Sequence, residues 1–257
     1  SRGLGDVYKR QVTGVDSLTM MAIPFFILSG VVMSVGGLAR RLVDVAASLV
    51  GWMMGGLGAV VSLASMFFGA ISGSSLATVS CIGGIMVPEM QKKGYDLGYS
   101  AVFTACAGTI GAVIPPSIPL VVYGVCTSTS IGDLFLGGIF PGVMIGIALI
   151  ISNYIVCKKK GYVGAERKSG REILKAVWEA KWALFAPVII LGGIYSGIFT
   201  PTEASVVSVV YSTIVALFIY KEITWKDLYN AIVGAAVTNG TTTFLLGLST
   251  AFAALLS

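Results

Sequence analysis

The chain has 257 residues, of which 56% are hydrophobic and 11% are charged, and its formal net charge is +5. Soluble domains carry about 25% charged residues, so a composition this apolar indicates a protein whose solvent is lipid. The chain has no histidine, which excludes Ser-His-Asp catalysis and removes the commonest transition-metal ligand. Its basic residues are confined to short polar connectors, a pattern that membrane topology produces and that argues against nucleic-acid binding.

The chain opens with a polar stretch and then becomes apolar. Residues 1–11, SRGLGDVYKRQ, show no periodicity, so we predict a non-native leader there. Residues 17–39 are apolar and long enough to cross a bilayer. Arg40 and Arg41 follow this segment and mark its cytoplasmic end under the positive-inside rule.

The next apolar region, about residues 57–90, is divided by the hydroxyl-rich stretch GAISGSSLAT at 69–78. Two arms of about 15 residues rise only about 22 Å each, which is less than the hydrocarbon core of about 30 Å. Lys92 and Lys93 follow the region just as Arg40 and Arg41 precede it, so both of its ends are predicted on the cytoplasmic side. The pattern therefore predicts a re-entrant helical hairpin with SGSS at its tip.

Residues 97–127 are long enough to reach the far side but contain a second interruption, GTIGAVIPPS at 108–117. Two consecutive prolines remove two backbone donors and disfavour helix at the residue before each. We therefore predict a broken helix, made of two half-helices with an unwound centre.

The rest of the chain completes the predicted topology. Residues 134–157 return to the cytoplasm, and 158–182 form a charged amphipathic connector with a membrane-surface helix over 166–181. Residues 183–199 and 204–220 cross again, and Thr200 to Glu203 have the pattern of a helix cap. The last apolar stretch, 231–257, stops inside an apolar run, so we expect both ends of the chain to be cut.

The hairpin tip and the broken helix are both predicted near the membrane midplane, where secondary transporters build ion and substrate sites from discontinuous helices. Freed carbonyls and hydroxyls can coordinate a cation such as sodium, while helix N-termini attract anionic groups. Close packing of small residues is the alternative interpretation of the same pattern. The candidate ligands are Ser72, Ser74, Ser75, Thr78, Thr109, Ser117 and the carbonyls of residues 108–114, with Pro115 and Pro116 shaping the break.

The stretches GAISGSSLATVSCIGGIMVPEMQKKGYD and AGTIGAVIPPSIPLVVYGVCTSTSIGDLFLGGIFPG resemble the large membrane subunit of TRAP transporters (tripartite ATP-independent periplasmic transporters), the DctM type. The stretches AIPFFILSG and FAPVIILGGIYSGIFTPTEAS resemble the same family, and the resemblance covers about residues 17–230. It implies an all-α polytopic membrane protein, here an elevator-type transporter half. Residues 12–157 would be the first inverted repeat and 183–257 the truncated start of the second.

The resemblance also implies a function and a site. Family members import organic acids such as C4-dicarboxylates or sialic acid, driven by sodium, with a periplasmic solute-binding protein and a small four-helix membrane subunit as partners. It implies a bacterial inner-membrane location and no cofactor besides the coupling ion. The implied sodium site takes Ser72, Gly73, Ser74 and Thr78 from the tip and Gly108, Gly111 and Pro115 from the break, with Ser72, Thr78 and Gly108 as sodium ligands. A fragment without the second hairpin is expected not to transport alone.

Three other classes of protein remain open on the sequence. A stand-alone elevator-type anion:sodium symporter would share the architecture without needing a binding protein. A channel would line its pore with the re-entrant tip, but it should repeat its selectivity groups around an axis. A membrane-embedded enzyme would need paired carboxylates or a metal cluster, and the apolar runs offer neither.

Overall fold

A computed structural model describes residues 18–162 and 164–256, so the predicted leader at 1–11 lies outside the described residues. Within the described ranges the regular elements are helices and no strand is present, which confirms the all-α fold class. A 3-10 turn at Leu18–Met21 precedes the first α-helix. The α-helices are α1 (Ala22–Val35), α2 (Leu38–Val50), α3 (Gly56–Ser72), α4 (Ser75–Lys92), α5 (Leu97–Gly108), α6 (Ile118–Thr127), α7 (Ile131–Lys160), α8 (Gly170–Glu179), α9 (Lys181–Tyr195), α10 (Pro201–Ile214) and α11 (Trp225–Leu256).

The connectors that carry Lys and Arg meet at one end of the molecule. Arg41 pairs with Glu222 at 2.6 Å, and the ring of Tyr95 stacks on Tyr162 with centroids 4.1 Å apart. The connectors without basic residues, 128–130 and 200–202, instead line one cavity of about 500 Å³, and α7 runs from this group to the basic end. This segregation of charge is what the positive-inside rule requires.

Large apolar side chains cover the outside of the bundle, as expected for a lipid-facing surface. In the described part of the chain, three helices are long and apolar enough to cross a membrane, or up to five if each bent pair counts as one span. The outward row of α7 recurs every three or four residues: Leu136, Phe140, Met144, Ile147, Ile151 and Ile155.

The segment predicted as one span over 17–39 ends earlier than expected and continues into a second helix. Helix α1 stops at Val35, and the chain bends by 69° into α2 through Gly36 and Gly37. Gly37 adopts a left-handed conformation with φ of 73°, which favours glycine. Arg40 and Arg41 resembled a polar connector in the sequence, but they lie on the polar side of an amphipathic helix that buries Leu38 and Leu42.

The charged connector also differs from the prediction of a helix over 166–181. Helix α8 begins only at Gly170, because Ser169 and Glu172 form a capping box, and it bends by 61° into α9. The backbone N–H of Ser169 donates to Glu172 and lowers the pKa of that carboxyl. The cap predicted at Thr200 is confirmed, since Thr200 and Glu203 form a second capping box.

Candidate functional site

The hairpin tip is a two-residue turn between α3 and α4. Gly73 is left-handed with φ of 62° and its N–H donates to the carbonyl of Gly69 at 3.0 Å, which ends α3. Ser74 is extended, and its hydroxyl accepts the N–H of Ala77 at 3.4 Å, which starts α4. Helix α3 has 17 residues, a length of about 25 Å. It therefore remains shorter than the hydrocarbon core of about 30 Å.

Two buried hydroxyls face each other across this tip. Ser72 Oγ lies 3.2 Å from Thr78 Oγ1, and both residues are fully buried. Thr78 Oγ1 donates to the carbonyl of Ser74 at 2.8 Å, so its lone pairs remain available on the side of Ser72. The tip thus gathers two neutral hydroxyl oxygens and one carbonyl within a few ångströms.

The broken helix is interrupted where the prolines predicted it. Helix α5 ends at Gly108, a 3-10 turn covers Thr109–Ala112, and α6 begins at Ile118. Ser117 caps α6, since its hydroxyl accepts the N–H of Leu120 at 3.3 Å and donates to the carbonyl of Ala112 at 2.5 Å. The buried residues Pro115 and Pro116 lie between the two half-helices.

The two interruptions are in direct contact. The N–H of Ile118 donates to the carbonyl of Gly73 at 3.0 Å, and a Cβ on Gly73 would lie 2.6 Å from the carbonyl oxygen of Pro116. A Cβ on Gly111 would overlap Thr78 Oγ1 and lie 2.9 Å from the carbonyl oxygen of Ser74. Glycine at both positions therefore lets the two backbones approach closely.

Because the two interruptions meet, both helix N-termini and helix C-termini lie at the site. The N-termini of α4 and α6, capped by Ser74 and Ser117, begin beside each other. The C-terminal end of α3 and the 3-10 turn after α5 meet at Gly69 and Gly111, where a Cβ on Gly69 would lie 2.8 Å from Gly111 Cα. Helix N-termini favour negative groups and C-termini favour cations, so the arrangement can hold an anion and a cation close together.

Three further predicted site residues are placed differently around this contact. The structure turns Thr109 away from the tip: its side chain is exposed and its hydroxyl donates to the carbonyl of Cys106 at 2.7 Å. Gly108 packs against Val79, the neighbour of Thr78 on α4, because a Cβ on Gly108 would overlap the Val79 side chain. Ser75 is half-buried in the first turn of α4.

Helix α7 supports the site through residues that the sequence analysis did not single out. Added Cβ atoms on Gly138, Gly142 and Gly146 would meet the break at Val113 and Ile114 or the hairpin at Met66. These glycines recur every four residues, a small-residue spacing that typically marks close helix packing in membranes. That spacing could have identified α7 as the helix that packs against both interruptions.

The base of the hairpin is fixed by a buried asparagine that was also missed. Asn153 accepts the hydroxyl proton of Tyr99 at 2.8 Å and donates to the carbonyl of Gly55 at 2.8 Å. The thiol of Cys157 donates to the same asparagine oxygen at 3.3 Å. This network joins α5, α7 and the start of α3. A polar residue in the apolar run of α7 was the available signal, because such residues need a partner inside the membrane.

Comparison with known proteins identifies the family of the chain. The model of the family described as "Tripartite ATP-independent periplasmic transporter, DctM component" matches residues 6–257. The chain belongs to the DctM family. This DctM chain is accordingly a multi-pass protein of the inner membrane.

Several DctM relatives are similar over most of the chain. The isethionate TRAP transporter permease protein DctMQ of Oleidesulfovibrio alaskensis is 46% identical over 93% of the chain and 38% of its own length. The C4-dicarboxylate TRAP transporter large permease protein DctM of Pseudomonas aeruginosa is 49% identical over 80% of the chain and 48% of its own length. The sialic acid TRAP transporter large permease protein SiaM of Vibrio cholerae is 42% identical over 87% of the chain and 52% of its own length. The chain therefore spans about half or less of the length of these relatives.

Proposed function

We propose that this chain is part of the large membrane subunit of a sodium-coupled secondary transporter. It imports an organic acid, such as a C4-dicarboxylate, sialic acid or a similar carboxylate, which a periplasmic binding protein delivers. A small four-helix membrane subunit is its second partner. The observation that carries the proposal is the hydrogen bond from the N–H of Ile118 to the carbonyl of Gly73, because it joins the hairpin tip to the break in the following helix.

The coupling ion binds where neutral oxygens converge. Ser72 and Thr78 offer hydroxyls 3.2 Å apart, and the carbonyl of Ser74 lies 2.8 Å from Thr78 Oγ1. Sodium is a hard cation of the kind that unwound backbone and hydroxyls coordinate in transporters. The described residues offer no group of three or more His, Cys, Asp or Glu for a metal ion. We therefore assign sodium to the oxygens of the tip and the break.

The organic acid binds at the helix N-termini of the same contact. The N-termini of α4 and α6 lie beside each other, with Ser74 and Ser117 as caps. In α6 the N–H groups of Ile118 and Leu120 are already bonded to Gly73 and Ser117, so this helix contributes the partial charge of its end and no free N–H of these two residues. A carboxylate is stabilised there by the partial positive charge of two helix ends. Cation and carboxylate then neutralise one another, which couples the two binding events without a titrating side chain.

Transport in this proposal moves the site as one body. Helix α7 packs its glycines against the break and the hairpin, and Asn153 bonds the hairpin base at 2.8 Å. The hairpin, the broken helix and α7 therefore form the moving unit of an elevator. Helices α1 and α10, whose hydroxyls Ser29 and Ser208 are bonded at 2.5 Å, belong to the wall that it moves against.

Uptake by the full-length permease tests this proposal. The permease and its small subunit are reconstituted in vesicles, the binding protein and a labelled carboxylate are added outside, and an inward sodium gradient is compared with an equal potassium gradient. We expect uptake only with sodium and only with the binding protein present. Uptake without the binding protein would instead identify a stand-alone symporter, and uptake that ignores sodium would reject the coupling.

A further inference from the structure

Three buried hydroxyls inside the hairpin and the neighbouring helix lack a hydrogen-bond partner within the described protein. They belong to Ser62 and Ser65 on α3 and to Thr104 on α5. Ser62 and Ser65 are fully buried and Thr104 is 2% exposed. A buried polar group without a partner is costly, and ordered water commonly fills that need in native proteins.

Ser62 and Ser65 lie on the face of α3 that looks towards α5 and α7. They are flanked on the same helical face by Gly58 and Gly69, at spacings of four, three and four residues. A Cβ on Gly58 would overlap the side chain of Asn153 on α7. A Cβ on Gly69 would lie 2.8 Å from Gly111 Cα, just beyond α5. The two serines therefore lie inside the contact between these helices.

Thr104 lies at the level of the serines and faces the hairpin. Helix α5 runs alongside α3: Tyr99 bonds Asn153 near Gly58 at the base, and Gly111 meets Gly69 near the tip. Thr104 is about midway between Tyr99 and Gly111, as Ser62 and Ser65 are between the two α3 glycines. Its Cγ2 lies 3.2 Å from the Cβ that would be added to Gly83 of α4. The methyl group of Thr104 therefore packs against α4, the second arm of the hairpin.

We infer that Ser62, Ser65 and Thr104 form an internal hydration site that holds ordered water between the tip and the base of the hairpin. Water fits better than a metal ion, because all three residues lie within unbroken helices whose carbonyls are already bonded along the helix. A buried water needs about two to four polar partners, and three hydroxyls supply them.

This site rests on the proposed function for its role. Ser65 precedes Ser72 by seven residues of the same helix, which is about 10 Å along the axis. A sodium ion that leaves the tip towards the basic end must recover its hydration shell. Water held at Ser62, Ser65 and Thr104 provides the first oxygens on that path.

A cryo-EM map of the full-length permease that resolves ordered water tests the site directly. We expect a water within hydrogen-bond distance of at least two of the three hydroxyls. Hydroxyls that are each bonded to a carbonyl of their own helix, with no water between them, would overturn the inference.

Two variants test the role in transport, Ser65→Ala and Thr104→Val, with Ser80→Ala on the exposed side of α4 as the matched control. We expect sodium-driven uptake to slow about fivefold in each of the two variants. A change of this size corresponds to the free energy of about one lost hydrogen bond. The half-saturating sodium concentration should stay unchanged, since the tip is intact. Uptake equal to the wild type, with a higher unfolding temperature from removal of an unpaired hydroxyl, would reject the hydration site. This result can be told apart from a failure of the proposed function, because in that case uptake by the wild type itself would not depend on sodium.

Discussion

Ser72 Oγ and Thr78 Oγ1 lie 3.2 Å apart although they belong to two different helices. The left-handed Gly73 reverses the chain between them, and Thr78 gives its proton to the carbonyl of Ser74 at 2.8 Å. Thr78 Oγ1 faces the break, since a Cβ on Gly111 would overlap it, and Ser72 lies against Gly30 of α1. In the function proposed above, this hydroxyl pair supplies neutral ligands to the coupling ion.

Removing either hydroxyl should weaken the response to sodium. In Ser72→Ala and in Thr78→Val, we expect the half-saturating sodium concentration for uptake to rise about tenfold, which corresponds to about 1.4 kcal/mol. Uptake by the full-length permease at increasing sodium concentration measures this change. Ser80→Ala on the exposed side of α4 is the control, and sodium titrations that match the wild type in both tip variants would favour the packing interpretation.

Gly111→Ala should disturb the contact between the break and the tip. Its Cβ would overlap Thr78 Oγ1 and lie 2.9 Å from the carbonyl oxygen of Ser74. We expect a loss of about 1–3 kcal/mol of stability from overpacking. The thermal unfolding midpoint of the detergent-solubilised permease measures it. Gly84→Ala on α4, where nothing lies within 4 Å of an added Cβ, should leave the midpoint unchanged or raise it, and an equal fall in both variants would contradict the contact.

Asn153→Ala should loosen the base of the hairpin. Asn153 is 1% exposed and bonds both Tyr99 and Gly55 at 2.8 Å. Its removal leaves buried groups unpaired, at a cost of about 1–3 kcal/mol for each. The unfolding midpoint should fall well below that of Ser152→Ala, an exposed neighbour on the same helix. Similar midpoints for the two variants would show that the network does not stabilise the hairpin.

The ion pair between Arg41 and Glu222 should contribute a small coupling energy. The atoms are 2.6 Å apart, the side chains are 25% and 41% exposed, and the Arg41 guanidinium lies 3.7 Å from the ring centroid of Tyr220. We expect a double-mutant cycle of Arg41→Met and Glu222→Gln to give about 0.5–1 kcal/mol that weakens in high salt. The more exposed pair Lys92 and Glu89 is the comparison, and a coupling there as large as at Arg41 would contradict the expectation.

The sequence predicted both interruptions because their chemistry is local. Gly73 and Ser74 combine a turn glycine with a helix cap, and Pro115 and Pro116 cannot continue a helix. Helix α2 was missed because Arg40 and Arg41 lie in its first turn, so that the start of an amphipathic helix resembled a polar connector. Thr109 was assigned to the site because spacing alone does not tell which face of the broken helix meets the hairpin.

Apart from the contact between the tip and the break, individual contacts between residues distant in sequence could not be predicted. The bond from Asn153 to Gly55 joins residues 98 positions apart, and nothing in either residue's neighbourhood indicates the other. The glycines of α7 carried a recognisable spacing, but the spacing does not reveal their partners. The positions of the basic connectors, in contrast, predicted which ends of the helices lie together.

Direct binding of radioactive sodium to the purified full-length permease tests the central claim, that the hairpin tip and the break enclose a cation. The account predicts saturable binding to the wild type and to Ser80→Ala, and the loss of part of that binding in the Ser72→Ala, Thr78→Val double variant. Saturable binding of the same amount and affinity in all three proteins would contradict it.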